Sequence, residues 1–397
     1  MTGVPDDDDR VRRWRADTPA SADRAHLNNA GAALPPARVL DAMLGHLRRE
    51  AEVGGYEAAE EAAGRVQAVY GHLARLLGCA PPNVAIVENA TVAVSLALSA
   101  FDFEPGDVLV TTRNDYASNH LMYLALARRR GVEVRCAADL PEGGADPDSV
   151  RRLASDPRCR LVSLTWVPTN SGLVQAAEEV GGICEELGIP YLVDGCQAVG
   201  QMPVDVARLR CDFLGGTARK FLRGPRGIGF LYVSDRMLER GAYPLGVDMR
   251  GAVRVGDGGF ELVPGARRFE NWEFSYALVL GLGEAVRYAL EAGVEEGRGR
   301  AIDLAAYARE RLRAVPGLRV ADRGARLCAI VTVEVRGWDA TEAVLRLRAM
   351  GINTSASTSE DGSRTPVVRI SPHYYNTRDE VDAAVDALAG LARSPQE

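Results

Sequence analysis

The chain has 397 residues, of which 47% are hydrophobic and 25% are charged, and this balance is typical of a globular protein with a large core. Its formal net charge of −7, with no basic block, argues against nucleic acid as a partner. No apolar run has the length of a membrane span, and residues 1–20 lack the apolar core of a signal peptide.

Potential metal ligands are dispersed along the chain. The seven cysteines form no C-x-x-C pair, and the five histidines are equally scattered. This pattern argues against a metal site. The simplest interpretation is a reduced protein of the cytoplasm.

From about residue 84 to 233, short β-rich runs alternate with helical patterns. The apolar runs, such as VAIV, DVLVTT and PYLVDG, are continuous, so both faces of the sheet should be covered. This alternation predicts an α/β fold with a mostly parallel sheet and right-handed crossovers.

After about residue 274 the pattern changes. Long helical patterns over 274–293 and 300–315 precede two β-rich runs that alternate with two further helical patterns, which indicates a smaller α+β domain. Residues 38–75 are typical of amphipathic helices. We therefore expect an N-terminal arm and helix packed on the small domain (1–50), a large domain (51–275) and a C-terminal small domain (276–397).

Lys220 is the only lysine among 47 basic residues. It lies in the glycine-rich stretch 215–230, beside Arg219 and near Arg223 and Arg226. Burial and neighbouring cations lower the pKa of an amine and make it nucleophilic. Arginine cannot form an imine, whereas lysine can, so Lys220 is a candidate Schiff-base residue. The alternative is an ordinary surface lysine.

Asp194 ends an apolar run, and Gln197 follows three residues later. In open α/β sheets, ligands bind beyond the carboxyl ends of the strands. A carboxylate at this point, 26 residues before Lys220, suits a pyridoxal ring because it keeps the pyridine nitrogen protonated. The alternative is an aspartate that caps the following turn.

Three other positions have two interpretations each. Thr91 opens a helix, which predicts either a phosphate site at the helix N-terminus or a simple cap. Tyr116 follows a strand, where it stacks on a ring or packs as an ordinary tyrosine. Arg369 lies in a β-rich run, where it holds a carboxylate or faces water from an edge strand.

Taken in chain order, these motifs resemble the class V aminotransferase group of fold-type I pyridoxal-phosphate enzymes, which includes cysteine desulfurases. HLNNAGAALP is similar to the family's Leu-Asp-Asn-Ala-Ala opening, and VVRISPHYYNT to its Val-Arg-x-Ser-x-x-x-Tyr-Asn-Thr ending. The resemblance covers roughly residues 25–390. It implies a large domain with a seven-stranded sheet, a smaller α+β domain, pyridoxal 5′-phosphate as cofactor, and a homodimer with the active site at the interface.

The resemblance also implies a role for each motif residue. Lys220 holds the cofactor as a Schiff base, Asp194 pairs with the pyridine nitrogen and Gln197 bonds the phenolic oxygen. Tyr116 stands where desulfurases stack a histidine on the ring, and Arg369 binds the α-carboxylate of the substrate. Four residues are implied for the phosphate: Ala90, Thr91, Thr217 and Arg219.

Two segments depart from the desulfurase pattern. Residues 351–365 contain no cysteine, although desulfurases carry their nucleophilic cysteine there, so a persulfide cannot form in this loop. Trp272 and Glu273 replace a Gly-Thr pair whose threonine reaches the phosphate of the partner subunit.

A subgroup matches more closely. RREAEVGGYEAAEEAA, RKFLRGPRGIG and RTPVVRISPH are similar to the C–S lyases of ergothioneine biosynthesis and to lincosamide-pathway enzymes. This implies a β-lyase that cleaves an S-substituted L-cysteine to a thiol or sulfenic acid, pyruvate and ammonia, in secondary metabolism or thiol biosynthesis. The alternatives are decarboxylation coupled to oxidative deamination, transamination, epimerisation, and a cofactor-binding regulator or inactive scaffold.

Some residues are candidates to surround the distal part of the substrate, and a purely structural role is an equal alternative for each. They are Asn28, Asn29, Tyr56, Asn170 and the loop 355–361.

Overall fold

The structure is a computed structural model that describes residues 5–359 and 363–394. Its strands are β1 (Ala25–His26), β2 (Val84–Val87), β3 (Val108–Thr112), β4 (Glu133–Ala137), β5 (Cys159–Thr165), β6 (Tyr191–Asp194), β7 (Phe213–Thr217), β8 (Gly229–Val233), β9 (Ala252–Val255), β10 (Gly259–Leu262), β11 (Leu318–Val320), β12 (Val331–Val335), β13 (Ile352–Asn353), β14 (Ser355–Thr358) and β15 (Pro366–Ile370).

The α-helices are α1 (Asp9–Ala16), α2 (Asn29–Ala32), α3 (Ala37–Val53), α4 (Gly55–Leu77), α5 (Ala90–Ser99), α6 (Ala117–Arg130), α7 (Pro147–Ala154), α8 (Ala177–Leu187), α9 (Val206–Leu209), α10 (Asp235–Glu239), α11 (Tyr276–Ala292), α12 (Val294–Arg313), α13 (Ala340–Ala349) and α14 (Arg378–Arg393). Short 3₁₀ turns cover Pro19–Ala22, Pro81–Asn83 and Ala266–Phe269.

Seven strands form the large sheet, in the order β2-β8-β7-β6-β5-β3-β4. Strand β8 runs antiparallel to its neighbours β2 and β7, and the other neighbouring pairs are parallel. Every residue of β2, β3, β6, β7 and β8 is buried, because these continuous apolar runs are covered on both faces. The predicted α/β fold with a mostly parallel seven-stranded sheet is confirmed.

A second, antiparallel sheet has the order β11-β12-β15-β14 and packs with helices α12, α13 and α14. The N-terminal arm joins this part of the molecule, because β1 pairs in parallel with β13. Helix α11 packs closely on α3 and α4: a Cβ at Gly281 would lie 2.7 Å from the Met43 side chain, and one at Gly283 would lie 2.6 Å from Val69. The domain limits near residues 50 and 275 stay predictions.

In the part of the chain that the structure describes, no helix combines the length and the apolarity that crossing a bilayer requires.

Candidate active site

Parallel strands bring their carboxyl ends to the same edge of the large sheet. Segments that follow β2, β3, β5, β6 and β7 therefore meet there and enclose a cavity of about 390 Å³. The eight residues predicted to bind the cofactor all line this cavity: Ala90, Thr91, Tyr116, Asp194, Gln197, Thr217, Arg219 and Lys220.

Lys220 follows β7, and its side chain faces the cavity while only 7% of the residue is exposed. Its Nζ lies 5.9 Å from the centre of the Tyr116 ring. Burial lowers the pKa of this amine, and the charges of Arg219 and Arg369 lower it further, while Cys196 and Asp194 oppose the shift. The lowered pKa favours the neutral, nucleophilic form of the amine.

Asp194 is the last residue of β6 and is buried. Its carboxylate accepts hydrogen bonds from the backbone N–H of Cys196, at 2.9 Å, and from Nδ2 of Asn119, at 3.0 Å. These two bonds fix the carboxylate at the cavity wall, where it fits the protonated nitrogen of a pyridine ring.

Asp115, which no sequence motif singled out, organises the residues behind this wall. Its carboxylate accepts five hydrogen bonds of 2.5–2.9 Å, from the hydroxyls of Thr111, Tyr123 and Thr165, from Nδ2 of Asn119 and from the backbone N–H of Tyr116. Asn119 thus bridges Asp115 and Asp194. The available signal was the spacing of Asp115 and Asn119: Asp115 directly precedes Tyr116, the N-cap residue of α6, and Asn119 lies in the first turn of that helix.

The N-terminus of α5 forms an anion cradle. The side chain of Asn89 accepts from the N–H of Val92 at 3.0 Å, which leaves the first amides, those of Ala90 and Thr91, without an intrahelical acceptor. Glycine allows the neighbouring backbone to approach, since a Cβ at Gly229 would lie 3.1 Å from Asn89. With the Thr217 hydroxyl at the end of β7, this cradle fits a phosphate group.

The amide of Gln197 is engaged with the protein. Its Nε2 donates to the carbonyl of Ala30 and to Oγ1 of Thr169, both at 3.0 Å. Its Oε1 is buried and has no hydrogen-bond partner among the described residues. The predicted bond from Gln197 to the phenolic oxygen of the cofactor stays a prediction.

Arg369 lies on β15, behind the cavity wall. Its guanidinium donates to the carbonyl and Oγ1 of Thr169, at 2.7 and 2.9 Å, and to Oδ1 of Asn28, at 3.3 Å. Burial, and next the charge of Arg219, lower its pKa to about 10. Its Nε is buried without a partner in the described part of the chain, so this arginine retains a free donor.

Four residues predicted around the distal part of the substrate are not among those that line the cavity: Asn28, Asn29, Tyr56 and Asn170. Asn29 is fully buried, and its amide donates to the carbonyls of His26 and Ser371 and accepts from Tyr375. Asn170 adjoins Thr169, and Tyr56 is 81% exposed on α4. Their contacts with substrate stay predictions.

The loop 355–361 begins with β14 and lies partly outside the described residues.

Cys196 is the cysteine on the cavity wall. Burial raises its pKa, and the charge of Asp194 raises it further, so the thiol is a poor nucleophile here. Over residues 5–359 and 363–394, no three histidine, cysteine or acidic side chains are grouped so that they could hold a metal ion.

Known proteins resemble this chain over nearly its whole length. The family model for class V aminotransferases matches residues 25–384. A probable hercynylcysteine sulfoxide lyase of Mycobacterium tuberculosis is 32% identical over 97% of this chain and 94% of its own length. The isopenicillin N epimerase of Streptomyces clavuligerus is also 32% identical, over 80% of this chain and 82% of its own length.

A solved structure has the same fold. The apo cysteine desulfurase of Thermococcus onnurineus NA1 superposes with a TM-score of 0.87 at 22% identity and covers 96% of this chain and 98% of its own. Together, the sequence and structure matches confirm the resemblance that the motifs predicted.

Proposed function

Because this chain belongs to the class V aminotransferase family, whose cofactor is pyridoxal 5′-phosphate, we propose that it is a C–S β-lyase that cleaves an S-substituted L-cysteine. The substrate and one water yield a thiol, pyruvate and ammonia. A cysteine sulfoxide yields a sulfenic acid in place of the thiol.

The proposal depends on one observation: the cavity contains a buried lysine but, among the residues described, no cysteine suited to act as a nucleophile. Lys220 is buried in the cavity beside Asp194, while the chain has no cysteine after Cys328. The cysteine that does line the cavity, Cys196, has a raised pKa. A desulfurase transfers the substrate sulfur to a cysteine of its own as a persulfide. A site without such a cysteine is suited to release the substrate sulfur together with the group attached to it. The likeness to a sulfoxide lyase supports the same reaction.

Four residues and the first turn of α5 would hold the cofactor. Lys220 binds its aldehyde carbon, Asp194 its pyridine nitrogen, and Thr217 and the amides at Ala90 and Thr91 its phosphate. Tyr116, whose ring centre lies 5.9 Å from Nζ of Lys220, would pack against the cofactor ring. When bound, the cofactor supplies an electron sink that stabilises negative charge at Cα of the attached amino acid.

The side chains of this chain then orient the substrate and move one proton. Arg369 holds the α-carboxylate, which fixes the direction of the Cα–H bond. Nζ of Lys220 removes the Cα proton, and the ammonium so formed returns it to the departing sulfur. The bond between Cβ and sulfur breaks, and the three-carbon fragment leaves as 2-aminoacrylate. Water hydrolyses this fragment to pyruvate and ammonia.

The test is product analysis with a panel of S-alkyl and S-aryl L-cysteines and their sulfoxides. We expect pyruvate and the sulfur product in equal amounts, measured by reduction of pyruvate to lactate and by mass spectrometry. Absence of both products across the panel would reject the lyase activity.

Replacement of Lys220 supplies the control for this activity. We expect Lys220→Ala to lower turnover by about 10²–10⁴-fold, because the general base is lost. The visible absorbance of the lysine-bound cofactor should disappear as well. Turnover equal to that of the wild type would contradict the role of Lys220.

Epimerisation is the second candidate, because the epimerase of Streptomyces clavuligerus is as similar in identity as the lyase. An epimerase would return the intact amino acid with inverted Cα, which chiral chromatography detects. An aldehyde with carbon dioxide would instead indicate decarboxylation with deamination, and a keto acid would indicate transamination.

A homodimer in the cytoplasm is part of the same proposal. Several large apolar side chains are exposed in the single chain, among them Tyr56 (81%), Leu121 (67%) and Trp272 (48%). Contact with a second copy would cover such residues. Sedimentation of the holoenzyme should give twice the mass of the chain, and a monomer at micromolar concentration would contradict the dimer.

A further inference from the structure

Arg219 carries a positive charge that no carboxylate of the described residues balances. It directly precedes Lys220, is half-buried and lines the cavity. Its guanidinium donates to the carbonyl of Gly31, and none of the ion pairs within residues 5–359 and 363–394 includes it. A cation at a cavity wall without an anionic partner is a ready site for an anionic ligand.

Arg369 holds the same turn of the N-terminal segment. It bonds Oδ1 of Asn28, and the N–H of Gly31 donates to the carbonyl of Asn28 at 3.0 Å. The turn is tight, since a Cβ at Gly31 would lie 2.5 Å from Oδ1 of Asn28. Arg219 and Arg369, 150 residues apart in the chain, therefore approach each other across one short turn.

The two arginines lie near each other, since Arg219 bonds Gly31 and Arg369 bonds Asn28 of the same turn. Arg369 is only 7% exposed, and its Nε is a buried donor without a partner among the described residues. The charge of Arg219 contributes to the lowered pKa of Arg369, which agrees with their closeness. A carboxylate placed between them would accept hydrogen bonds from both and relieve their repulsion.

Among the described residues, the hydrogen bonds of Arg219 are made to the N-terminal segment and not to the phosphate cradle. Its guanidinium donates to Gly31, and its backbone carbonyl accepts from the N–H of Ala33 at 2.9 Å, so both attach it to the N-terminal segment. The cradle is formed by the start of α5 and by Thr217, whereas neither of these bonds of Arg219 goes to α5.

We propose that Arg219 determines substrate specificity by binding the α-carboxylate together with Arg369, and that it does not bind the cofactor phosphate, as the motif resemblance implies. The inference rests on the proposed function, because it takes the substrate to be an amino acid. Lysine would supply the charge without the planar pair of donors, so arginine suits a carboxylate better at this position.

The test separates the carboxylate from the phosphate by binding alone. The carboxylate probe is 2-methyl-S-methylcysteine, which has no Cα proton and is not eliminated, and its carboxamide is the neutral counterpart. Both are titrated into holoenzyme and followed by the absorbance of the cofactor.

Pyridoxal phosphate and pyridoxal, which lacks the phosphate, are titrated into apoprotein. The variants are Arg219→Gln, Arg219→Lys and, as a matched control on the same loop, Arg226→Gln, which changes an exposed arginine.

We expect Arg219→Gln to weaken binding of the carboxylate probe by about 10- to 100-fold, the loss typical of a charge-assisted hydrogen bond. The affinity of Arg219→Gln for the carboxamide should stay within about threefold of the wild type. The ratio of its affinities for pyridoxal phosphate and pyridoxal should stay within the same limit. The affinity of Arg219→Lys for the carboxylate probe should lie between those of Arg219→Gln and the wild type. The affinity of Arg226→Gln should match that of the wild type. If Arg219→Gln fails to fold, as judged by thermal unfolding, the lysine variant decides by the same criteria.

Two results would overturn the inference. One is an affinity of Arg219→Gln for the carboxylate probe within about threefold of the wild type. The other is a selective loss of about tenfold or more for pyridoxal phosphate relative to pyridoxal, which would make Arg219 a phosphate ligand. Failure of the lyase proposal is distinct, since wild-type enzyme would then bind the carboxylate probe but form no pyruvate from any conjugate.

Discussion

Asp115 connects two side chains that line the cavity, those of Tyr116 and Asp194. It fixes the backbone of Tyr116 directly, and it reaches Asp194 through the shared Nδ2 donor of Asn119. Because it accepts five hydrogen bonds and faces no substrate group, its contribution to the reaction is that of a positioning residue.

We expect Asp115→Asn to lower turnover by about tenfold, because an asparagine has one acceptor oxygen for bonds that two oxygens now receive. The pH titration of the bound cofactor's absorbance should shift, since Asp194 is held less firmly. Asp102→Asn, an exposed position, is the control. An unchanged titration would mean that Asp115 serves folding alone.

Glu270 should make the stability of the fold depend on pH. It is buried, accepts from the Tyr70 hydroxyl and the N–H of Ile86, and burial raises its pKa from 4.5 to about 7. The folded chain therefore binds this proton more tightly than the unfolded chain does. The resulting stabilisation is complete below pH 4.5 and is lost as the pH rises through about 7.

We expect Glu270→Gln to remove this dependence. Between pH 5 and 8, the wild type should lose on the order of 2–3 kcal/mol in free energy of unfolding relative to the variant. Urea unfolding of apoprotein at both pH values measures the difference. Parallel stability curves for the two proteins would contradict the raised pKa of Glu270.

Helix α5 is the element whose start determines the phosphate site. Asn89 has an extended backbone, and its side chain accepts from the N–H of Val92, so the amides before Val92 remain free for a ligand. The same residue thus stabilises the helix and, in the proposed function, would direct the phosphate to its first turn.

Two substitutions at Asn89 should separate these roles. Asn89→Ala removes the cap and should cost about 1 kcal/mol in free energy of unfolding. Asn89→Asp keeps the cap but places a negative charge beside the phosphate, so it should weaken binding of pyridoxal phosphate while the stability of the apoprotein is retained. Equal affinity of the aspartate variant and the wild type would place the phosphate elsewhere.

How far the sequence predicts the site depends on the element. Asp194, Thr91 and Tyr116 were predictable because each adjoins a strand or opens a helix, and the parallel sheet brings such positions together. The contact of Arg219 with Gly31, 188 residues earlier, and that of Arg369 with Asn28, 341 residues earlier, depend on where the N-terminal arm crosses the cavity. No local pattern encodes that crossing. Asn29, which resembles a family motif, instead has its amide buried in the arm.

At the scale of the whole molecule, a buried ion pair joins the small domain to the cavity loop. Arg309 and Asp322 are bonded at 2.7 Å, with side chains 4% and 0% exposed. Asp322 also accepts from the N–H of Gly172, three residues after the Thr169 that holds Arg369. Asp322 thereby fixes the loop whose Thr169 accepts from Arg369, the arginine that we propose binds the substrate carboxylate.

We expect Arg309→Met to lower the free energy of unfolding by about 3–5 kcal/mol, because Asp322 is left as a buried charge without its cation. The double variant Arg309→Met/Asp322→Asn should recover part of the loss. KM should rise more than kcat falls, since Thr169 moves with the loop. A loss below about 1 kcal/mol in urea unfolding would show that water reaches Asp322.

The solitary lysine has a practical consequence. Apart from the α-amine at the start of the chain, every amine-directed reagent has a single side-chain target, and that target is enclosed at the base of the cavity. If Lys220 holds the cofactor as proposed, acylation at Lys220, read by intact mass, reports the fraction of molecules whose cofactor is missing.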